Sequence, residues 1–363
     1  MSILGPKIVV IGAGIVGASI AYHLARRGAA VTIVDKGLPA GGVTGQAFGW
    51  INVSRGTSDP CSPLRHLAIP EWRRLEHDLR GALSVNWSGA LSWNSDLAAT
   101  ERFVRDHAAS GYDVRLVGRE DMARLEPNLM APPTCAAYAA SEGAVNPIAA
   151  TEALIEAARQ AGASVHLAAG MAQLESNGGR IVGVRTVDAT LKANIAIVAA
   201  GTGAGELCAP LGVKLPVKRS PALLLRFRTT GNLINAVISN PEIEVRQASD
   251  VVLLATENYI DDRPENGPGA IAGRTLGLIK QQLRGSDGVE LESVSVGVRP
   301  IPVDGSPVVG FAPGVDGLYV AVLHAGVAMA PLVGRLVAME ILDDVDASLL
   351  QPCLIERFIG RSG

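Results

Sequence analysis

Three glycines and one acidic residue near the N-terminus form a short motif with a recognisable chemical purpose. The glycines lie in the hexapeptide Gly12-Ala13-Gly14-Ile15-Val16-Gly17, and the acidic residue is Asp35, which is followed by Lys36. Gly12 allows a tight turn, Gly14 lets the main chain approach a pyrophosphate, and Gly17 lets a helix pack closely on strands. A carboxylate at Asp35 can accept hydrogen bonds from a ribose hydroxyl and would repel a 2′-phosphate. The spacing predicts a dinucleotide site and leaves FAD and NAD as alternatives.

The elements that must position these residues are a strand, a helix and a second strand. A continuous apolar run from Lys7 to Ile11 precedes the glycines, and Ala30 to Val34 forms another run just before Asp35. Such runs are typical of parallel strands that are buried on both faces, and the alanine-rich segment between them is long enough for one crossover helix. A lone glycine pattern would also fit an ordinary strand-to-helix turn. The flanking elements favour the nucleotide site.

The next segment, residues 36–52, combines many glycines with Phe48, Trp50 and Ile51. The glycines and Pro39 exclude a regular element, which predicts a loop. A flexible surface loop is one interpretation. The apolar side chains favour a loop laid along a ligand, because they are costly to expose to water.

The rest of the chain reads as a mixture of helices and strands. The apolar spacing predicts an amphipathic helix over 65–83, a helix after Gly326 and a surface appendage from Asp343. Strands are expected at 218–228, 242–247 and 251–256, and Ala199–Gly203 is a second strand-to-glycine junction.

Composition excludes several classes of protein. A chain of 363 residues with 48% hydrophobic residues and 41 glycines fits a two-domain α/β protein. The net charge of −3, without a basic cluster, predicts no nucleic-acid partner, which also disfavours an enzyme acting on modified RNA. The 4 cysteines lie far apart, so neither a metal site nor a disulfide framework is predicted. Neither a membrane span nor a signal peptide is expected, and the predicted location is the cytoplasm.

Taken together, the motifs resemble the D-amino-acid oxidase superfamily of FAD enzymes, and within it the glycine oxidase and sarcosine oxidase branch. The resemblance covers nearly the whole chain. It is carried, in chain order, by the glycine motif with Asp35, the Thr44–Gly49 loop, the Glu142–Pro147 turn into a helix, the Ala199–Gly203 junction, Gly297-Val298-Arg299-Pro300 with Asp304-Gly305, and the final strand, turn and helix.

The resemblance implies an α/β fold with two domains. One is an FAD-binding Rossmann-like (GR2-type) domain made of residues 1–80, 142–215 and 289–363. The other is an α+β substrate domain made of residues 81–141 and 216–288, with a mainly antiparallel sheet that covers the flavin ring.

The resemblance also implies which residues contact a flavin cofactor. They are Gly12, Ala13, Gly14, Ile15, Val16, Gly17, Asp35, Lys36, Thr44, Gly45, Gln46, Ala47, Phe48, Gly49, Met171, Ala172, Ala200, Gly201, Arg299, Ala325, Gly326, Val327 and Ala328. A helix that begins at Gly326 would direct N–H donors and a positive dipole at the flavin pyrimidine, where the reduced ring carries negative charge.

Arg299 is the residue that the resemblance implies for gripping the substrate carboxylate, and a guanidinium supplies the bidentate geometry for that task. A surface arginine at a strand end is the alternative. His324 would donate to the flavin or satisfy a main-chain group, and Trp50 would line the active site or pack in the core. Asn52 and Arg55 are further candidates for the active-site wall.

The sequence departs from the branch in two places. The turn from His324 to Val327 has no cysteine where covalent-flavin sarcosine oxidases carry one, so noncovalent FAD is expected. No lysine can be placed over the flavin to activate oxygen. The electron acceptor is therefore either oxygen or an electron-transfer partner.

The resulting prediction is an enzyme that oxidises the C–N bond of a small carboxylate-bearing amine, such as an amino acid or N-substituted glycine, by hydride transfer to FAD. The imine product would hydrolyse to an oxo acid. A dehydrogenase for D-amino acids or 2-hydroxy acids and a noncatalytic dinucleotide-binding protein are the alternatives, and a homo-oligomer is left open. Arg299 and the C-terminal turn disfavour the noncatalytic alternative, which needs neither.

Overall fold

The computed structural model describes residues 5–53, 59–259, 261, 263–343 and 347–358. The α-helices are α1 Ile15–Arg26, α2 Ser62–Asp78, α3 Leu97–Ala109, α4 Arg119–Leu125, α5 Pro147–Gln160, α6 Ala204–Cys208, α7 Pro268–Gln282 and α8 Gly326–Asp343. The strands are β1 Lys7–Ile11, β2 Ala30–Val34, β3 Trp50–Ile51, β4 Val85–Asn86, β5 Ala90–Ser92, β6 Arg115–Gly118, β7 Cys135–Ala139, β8 Gly143–Val145, β9 Ser164–His166, β10 Gln173–Asn177, β11 Arg180–Arg185, β12 Thr190–Lys192, β13 Ile195–Val198, β14 Val217–Arg228, β15 Val237–Ser239, β16 Glu244–Ser249, β17 Val252–Asn258, β18 Glu290–Pro302, β19 Val308–Phe311 and β20 Leu318–Val322.

A six-stranded sheet in the order β19-β20-β13-β1-β2-β9 carries the glycine motif. Strand β1 pairs in parallel with β2 on one side and with β13 on the other, while β19 joins the edge antiparallel to β20. Residues Ile8 to Ile11 of β1 are buried, as expected for a strand inside a sheet that is covered on both faces. The glycine motif, the Ala199–Gly203 junction and the final turn therefore follow the carboxyl ends of neighbouring parallel strands.

Helix α1 packs against α5 and α8 on one face of this sheet. A Cβ atom on Gly334 of α8 would lie 2.3 Å from Ser19 Oγ, so the absence of a side chain permits the close approach of α1 and α8. The Ser19 hydroxyl donates a hydrogen bond to the Ala330 carbonyl at 2.8 Å. This contact joins the first and last helices of the fold.

A second, eight-stranded sheet has the order β18-β14-β17-β16-β15-β5-β7-β6. Its pairs are antiparallel except that β15 and β5 run in parallel. Two smaller antiparallel sheets complete the fold, β10-β11-β12 and β3-β8-β4. The predicted mixed α/β class with a mainly antiparallel second sheet is confirmed, and the residue boundaries between the two domains stay a prediction.

The local predictions differ from the structure in identifiable ways. The helix expected over 65–83 is α2, which begins earlier, at Ser62, and ends at Asp78. The expected C-terminal surface appendage is wrong, because Leu350, Cys353 and Ile355 are buried. The Cys353 and Cys61 sulfur atoms lie 3.7 Å apart, so this segment closes the core beside α2. Strands β15 and β19 are short and were not predicted.

Candidate functional site

A cavity of about 810 Å³ lies where the carboxyl ends of the parallel strands face the eight-stranded sheet. Its wall includes the glycine motif, the loop before β3, the segment after β13, the turn before α8 and residues of β14, β16, β17 and β18. Cofactor sites span roughly 300–1,000 Å³, so the cavity has the size of such a site.

The glycines of the motif are required by close packing at the start of α1. Gly12 has φ of +120°, and a Cβ there would lie 2.5 Å from the Ala199 carbonyl oxygen. A Cβ on Gly17 would lie 2.0 Å from the Gly12 carbonyl oxygen. Because these contacts exclude a side chain, the N-terminus of α1 can approach a ligand in the cavity, where its first N–H groups can bind an anion.

Asp35 lies at one end of the cavity, at the end of β2. Its carboxylate accepts hydrogen bonds from the Ala13 amide at 2.6 Å and from the Gly37 amide at 2.7 Å. The segment after β9 lies alongside, since the Ala169 amide donates to the Asp35 carbonyl at 3.0 Å. Lys36, Met171 and Ala172, which were predicted to contact the cofactor, line the same cavity.

The loop before β3 forms a side wall of the cavity. The Thr44 hydroxyl accepts a hydrogen bond from the Ile15 amide at 3.2 Å, which ties the loop to the first turn of α1. A Cβ on Gly297 of β18 would lie 2.8 Å from the Gln46 Cβ, so the glycine allows the loop to pack on the eight-stranded sheet. The loop is thus packed between both sheets and is not a free surface loop, while its contact with a ligand stays a prediction.

Arg246 of β16 holds the same loop from behind. It is 5% exposed, and its guanidinium donates to the Phe48 carbonyl at 2.7 Å and to the Val145 carbonyl at 3.3 Å. Burial lowers the pKa of Arg246 to about 10. A buried cation that bonds to main-chain oxygens fixes the path of the loop at Phe48, and sequence reasoning missed it.

Trp50 lines the cavity, and its indole is held by a buried carboxyl group. Glu142 is 3% exposed and accepts hydrogen bonds from Trp50 Nε1 at 2.8 Å, from the Val53 amide at 3.0 Å and from the Tyr112 hydroxyl. Burial raises the pKa of Glu142 to about 7. The indole is therefore oriented by a fixed acceptor on the far side of the wall.

Arg299 of β18 lies on the cavity wall and is partly buried. Its Nη2 donates to the Ser220 hydroxyl at 3.0 Å and to the Asn258 side-chain oxygen at 3.1 Å, and its Nε donates to the Ser220 carbonyl at 3.4 Å. Ser220 and Asn258 are neutral, and no carboxylate among the described residues accepts a hydrogen bond from Arg299. Burial lowers the pKa of Arg299, because the cation loses hydration without a carboxylate in contact.

Glu244 of β16 is an acidic residue on the same wall that sequence reasoning did not identify. Burial raises its pKa to about 7, and the nearby negative charge of Glu257 adds to this effect. The positive charge of Arg299 acts in the opposite direction. The cavity wall thus contains an arginine and a carboxyl group, and the charge of each shifts the pKa of the other.

The turn between β20 and α8 closes the cavity beside α1, with Val16 Cγ2 3.5 Å from the position of a Cβ on Gly326. Helix α2 braces this turn, because Trp72 Nε1 donates to the Ala328 carbonyl at 2.9 Å and Arg65 Nη2 donates to the His324 carbonyl at 3.5 Å. The N-termini of α1 and α8 therefore meet at the cavity.

The structure brings most of the predicted residues to this wall. Beyond those already described, the cavity is lined by the predicted residues Gly14, Ala47, Gly49, Ala200, Gly201, His324, Ala325 and Val327, and by the further candidate Asn52. Four predicted residues lie outside the lining, namely Ala13, Gly17, Gly45 and Ala328. Ala13 and Ala328 are buried in the core, and a Cβ on Gly45 would lie 2.7 Å from the Ala40 carbonyl oxygen. Arg55 lies outside the described residues.

Within the described ranges, no group of three or more metal-ligating side chains could hold a metal ion. No described helix is long and apolar enough to cross a membrane.

Comparison with known proteins adds independent findings. The model of the DAO family, described as FAD dependent oxidoreductase, matches residues 7–339. The uncharacterized oxidoreductase YurR of Bacillus subtilis (strain 168) is 28% identical over 366 residues, covering 92% of this chain and 94% of that protein. Glycine oxidase of Geobacillus kaustophilus (strain HTA426) is 28% identical over 376 residues, covering 98% of each. The crystal structure of glycine oxidase from Geobacillus kaustophilus has a TM-score of 0.86 at 24% identity and covers 98% of this chain and 99% of that one, which shows a shared fold.

Proposed function

The chain belongs to the DAO family of FAD dependent oxidoreductases, and we propose that it oxidises the C–N bond of a small amino acid or N-substituted glycine. The family resemblance inferred from the motifs is thereby confirmed, as are the enzyme class and the FAD cofactor. The substrate class and the roles of individual residues are what the proposal adds, and the experiment below distinguishes between oxygen and another electron acceptor.

The residues of the cavity fit FAD. A Cβ on Gly12 or Gly17 would collide with main-chain oxygens, so the glycines leave the N-terminus of α1 close to the cavity, where it can bind the pyrophosphate. Asp35 retains acceptor capacity for the ribose beyond its two main-chain donors. The N-terminus of α8 would face the flavin pyrimidine. The described residues that line the cavity include no cysteine, which supports noncovalent binding.

The observation that carries the proposal is Arg299. A partly buried guanidinium on a cavity wall, bonded to neutral acceptors, is a site for a carboxylate. These bonds engage Nε and Nη2, so Nη1 is the part of the guanidinium that would donate to the carboxylate and thereby orient the substrate Cα–H bond.

The remaining residues would orient the substrate and limit water. Trp50 presents a rigid indole to the cavity, and its bond to Glu142 keeps it in one orientation. FAD, when bound, accepts the two electrons and the hydrogen of the Cα–H bond. The resulting C=N bond would then be hydrolysed by water to an oxo acid.

The experiment is an anaerobic absorbance titration of the FAD-loaded protein with glycine, sarcosine, D-alanine, D-proline and longer N-alkylglycines, followed by exposure to air. We expect one of these amines to bleach the flavin absorbance. Rapid recovery in air would identify oxygen as the acceptor, and slow recovery would identify a dehydrogenase that uses another acceptor. A protein that no carboxylate-bearing amine bleaches would overturn the proposal.

Replacement of Arg299 tests the anchor directly. Arg299→Ala should raise KM for the bleaching amine by more than about tenfold, because a charge-assisted hydrogen bond contributes about 1.5–3 kcal/mol. Arg226→Ala is a matched control, since Arg226 lies on the neighbouring strand β14 and pairs with Glu292 near the surface. Equal kinetics for wild type and Arg299→Ala would refute the anchor.

A further inference from the structure

We propose that Glu244 binds the substrate ammonium group and accepts its proton before the C–H bond breaks. The inference rests on the proposed function and assigns a second residue to the same reaction. Glu244 would bind the nitrogen of the substrate, whereas Arg299 would bind its carboxylate.

The position of Glu244 is the first argument. A second cavity of about 320 Å³ adjoins the large one, and both are lined by Glu244, Thr256 and Arg299. Glu244 therefore lies where the two spaces meet, on the sheet face that also carries the proposed carboxylate anchor.

The pairing of the two charges is the second argument. Arg299 directs its hydrogen bonds to Ser220 and Asn258, while Glu244 accepts a long bond of 3.4 Å from the Ser239 hydroxyl. Each nevertheless alters the titration of the other through its charge. An amino acid zwitterion placed between them would meet a cation at its carboxylate and an anion at its ammonium group.

The neighbouring acidic side chains are less suited to this task. Glu257 lines the second cavity but not the large one, and it accepts a hydrogen bond from the Thr275 hydroxyl. Glu242 is exposed and accepts a hydrogen bond from the Gln282 amide. Glu244 is the acidic residue that faces the large cavity from this part of the sheet.

The surroundings of Glu244 give it a pKa that suits a group that accepts a proton from the substrate and later releases it to water. Burial and the charge of Glu257 raise its pKa, the Ser239 hydroxyl and Arg299 lower it, and the net result is a pKa of about 7. The charge of Glu244 also raises the pKa of Glu142, which lies behind Trp50. A base is most effective when its pKa lies near the working pH.

The step balances as a proton transfer followed by oxidation. The ammonium N–H bond breaks, its proton joins a Glu244 carboxylate oxygen, and the electron pair remains on nitrogen. That pair would be available to form the C=N bond when the Cα–H bond breaks, and bound FAD would take up the hydrogen together with two electrons. Glu244 later releases its proton to water.

The test measures anaerobic flavin reduction by the bleaching amine between about pH 6 and pH 8. A carboxyl group with a pKa near 7 is about tenfold more ionised at the upper limit, so the wild-type rate should rise about tenfold. Without Glu244 the rate would follow the neutral fraction of the substrate amine, which rises about tenfold per pH unit below the amine pKa. Glu244→Gln should therefore be at least about tenfold slower near pH 8 and show a steeper rise than wild type, while Glu244→Asp should retain the wild-type profile. Glu242→Gln is the matched control and should keep the wild-type profile.

A binding measurement provides a readout that is independent of turnover. The ligands are 2-aminoisobutyrate, which has no Cα–H bond to oxidise, and pivalate, which has the same shape without the amine. Wild-type protein should prefer 2-aminoisobutyrate, and Glu244→Gln should lose that preference, with its flavin spectrum unchanged as a check on folding.

The outcomes separate the two proposals. If Glu244→Gln keeps either the wild-type pH profile or the preference for the amine, the role of Glu244 is overturned, and the proposed oxidation of amines stands. If no amine bleaches the wild-type flavin, the proposed function fails and the role of Glu244 fails with it.

Discussion

Gly17 offers a test of how strictly the close packing at the start of α1 is required. In an ordinary helix, replacing glycine by alanine stabilises the fold by about 1 kcal/mol. In Gly17→Ala, however, the new Cβ would lie 2.0 Å from the Gly12 carbonyl oxygen and 3.3 Å from the Ala199 Cβ. The first contact is about 1 Å too short and involves main chain, so either β1 or α1 must move. Overpacking typically costs about 1–3 kcal/mol. A clash with main chain lies at the upper end of this range, so the cost exceeds the gain and the net loss should reach about 2 kcal/mol.

The matched control is Gly273→Ala, which makes the same chemical change in the interior of α7. A Cβ on Gly273 meets nothing within 4 Å, so this variant should be more stable than wild type by up to about 1 kcal/mol. The two substitutions are thus expected to change stability in opposite directions.

The assay is urea unfolding of the FAD-free proteins, followed by tryptophan fluorescence, with midpoints compared among the three proteins. The dissociation constant of FAD is measured in parallel. A shift of α1 would displace the N–H groups at its N-terminus, so Gly17→Ala should bind FAD at least about tenfold more weakly. A Gly17→Ala protein with the wild-type midpoint and FAD affinity would refute the packing argument.

Two further predictions concern buried charged groups. Arg246→Met should lower stability by about 2 kcal/mol and weaken FAD binding, because the Phe48 and Val145 carbonyls lose their buried donor; an unchanged urea midpoint would contradict this. Because the folded-state pKa of Glu142 is raised from 4.5 to about 7, the folded state binds its proton more tightly than the unfolded chain, and stability from this group is lost as pH rises from about 4.5 to 7. Glu142→Gln should therefore flatten the dependence of the urea midpoint on pH in this window, and equal slopes in both proteins would count against it.

The sequence was most informative where the interactions that determine the structure lie within one short segment. The strand before Gly12, the helix after it and Asp35 were predictable because apolar runs and glycine spacing act over neighbouring residues. The short strands β15 and β19 were missed because they span only 3 and 4 residues, which is too short for an apolar pattern to stand out. The C-terminal segment was misjudged because Cys353 is buried through its contact with α2, which no local pattern records.

The same distinction applies to the site. Arg299 was identified through the resemblance, whereas Glu244 and Arg246 were missed although they alternate along one strand. Charged residues at every second position indicate one face of a strand, but a face can be directed at solvent or at a cavity. The pairing of β16 with β17 and β15 decides this, and it depends on segments that sequence periodicity does not connect.

The position of β1 between β2 and β13 has a consequence for biosynthesis. Strand β1 cannot complete its pairing until residues near 195 have been synthesised, and β20 and α8 are added later still. Contacts of such high sequence separation slow folding, because the entropy of closing long loops must be overcome first. We therefore expect nascent chains that stop before the turn at His324 to lack a complete FAD site, because this turn is part of the cavity wall.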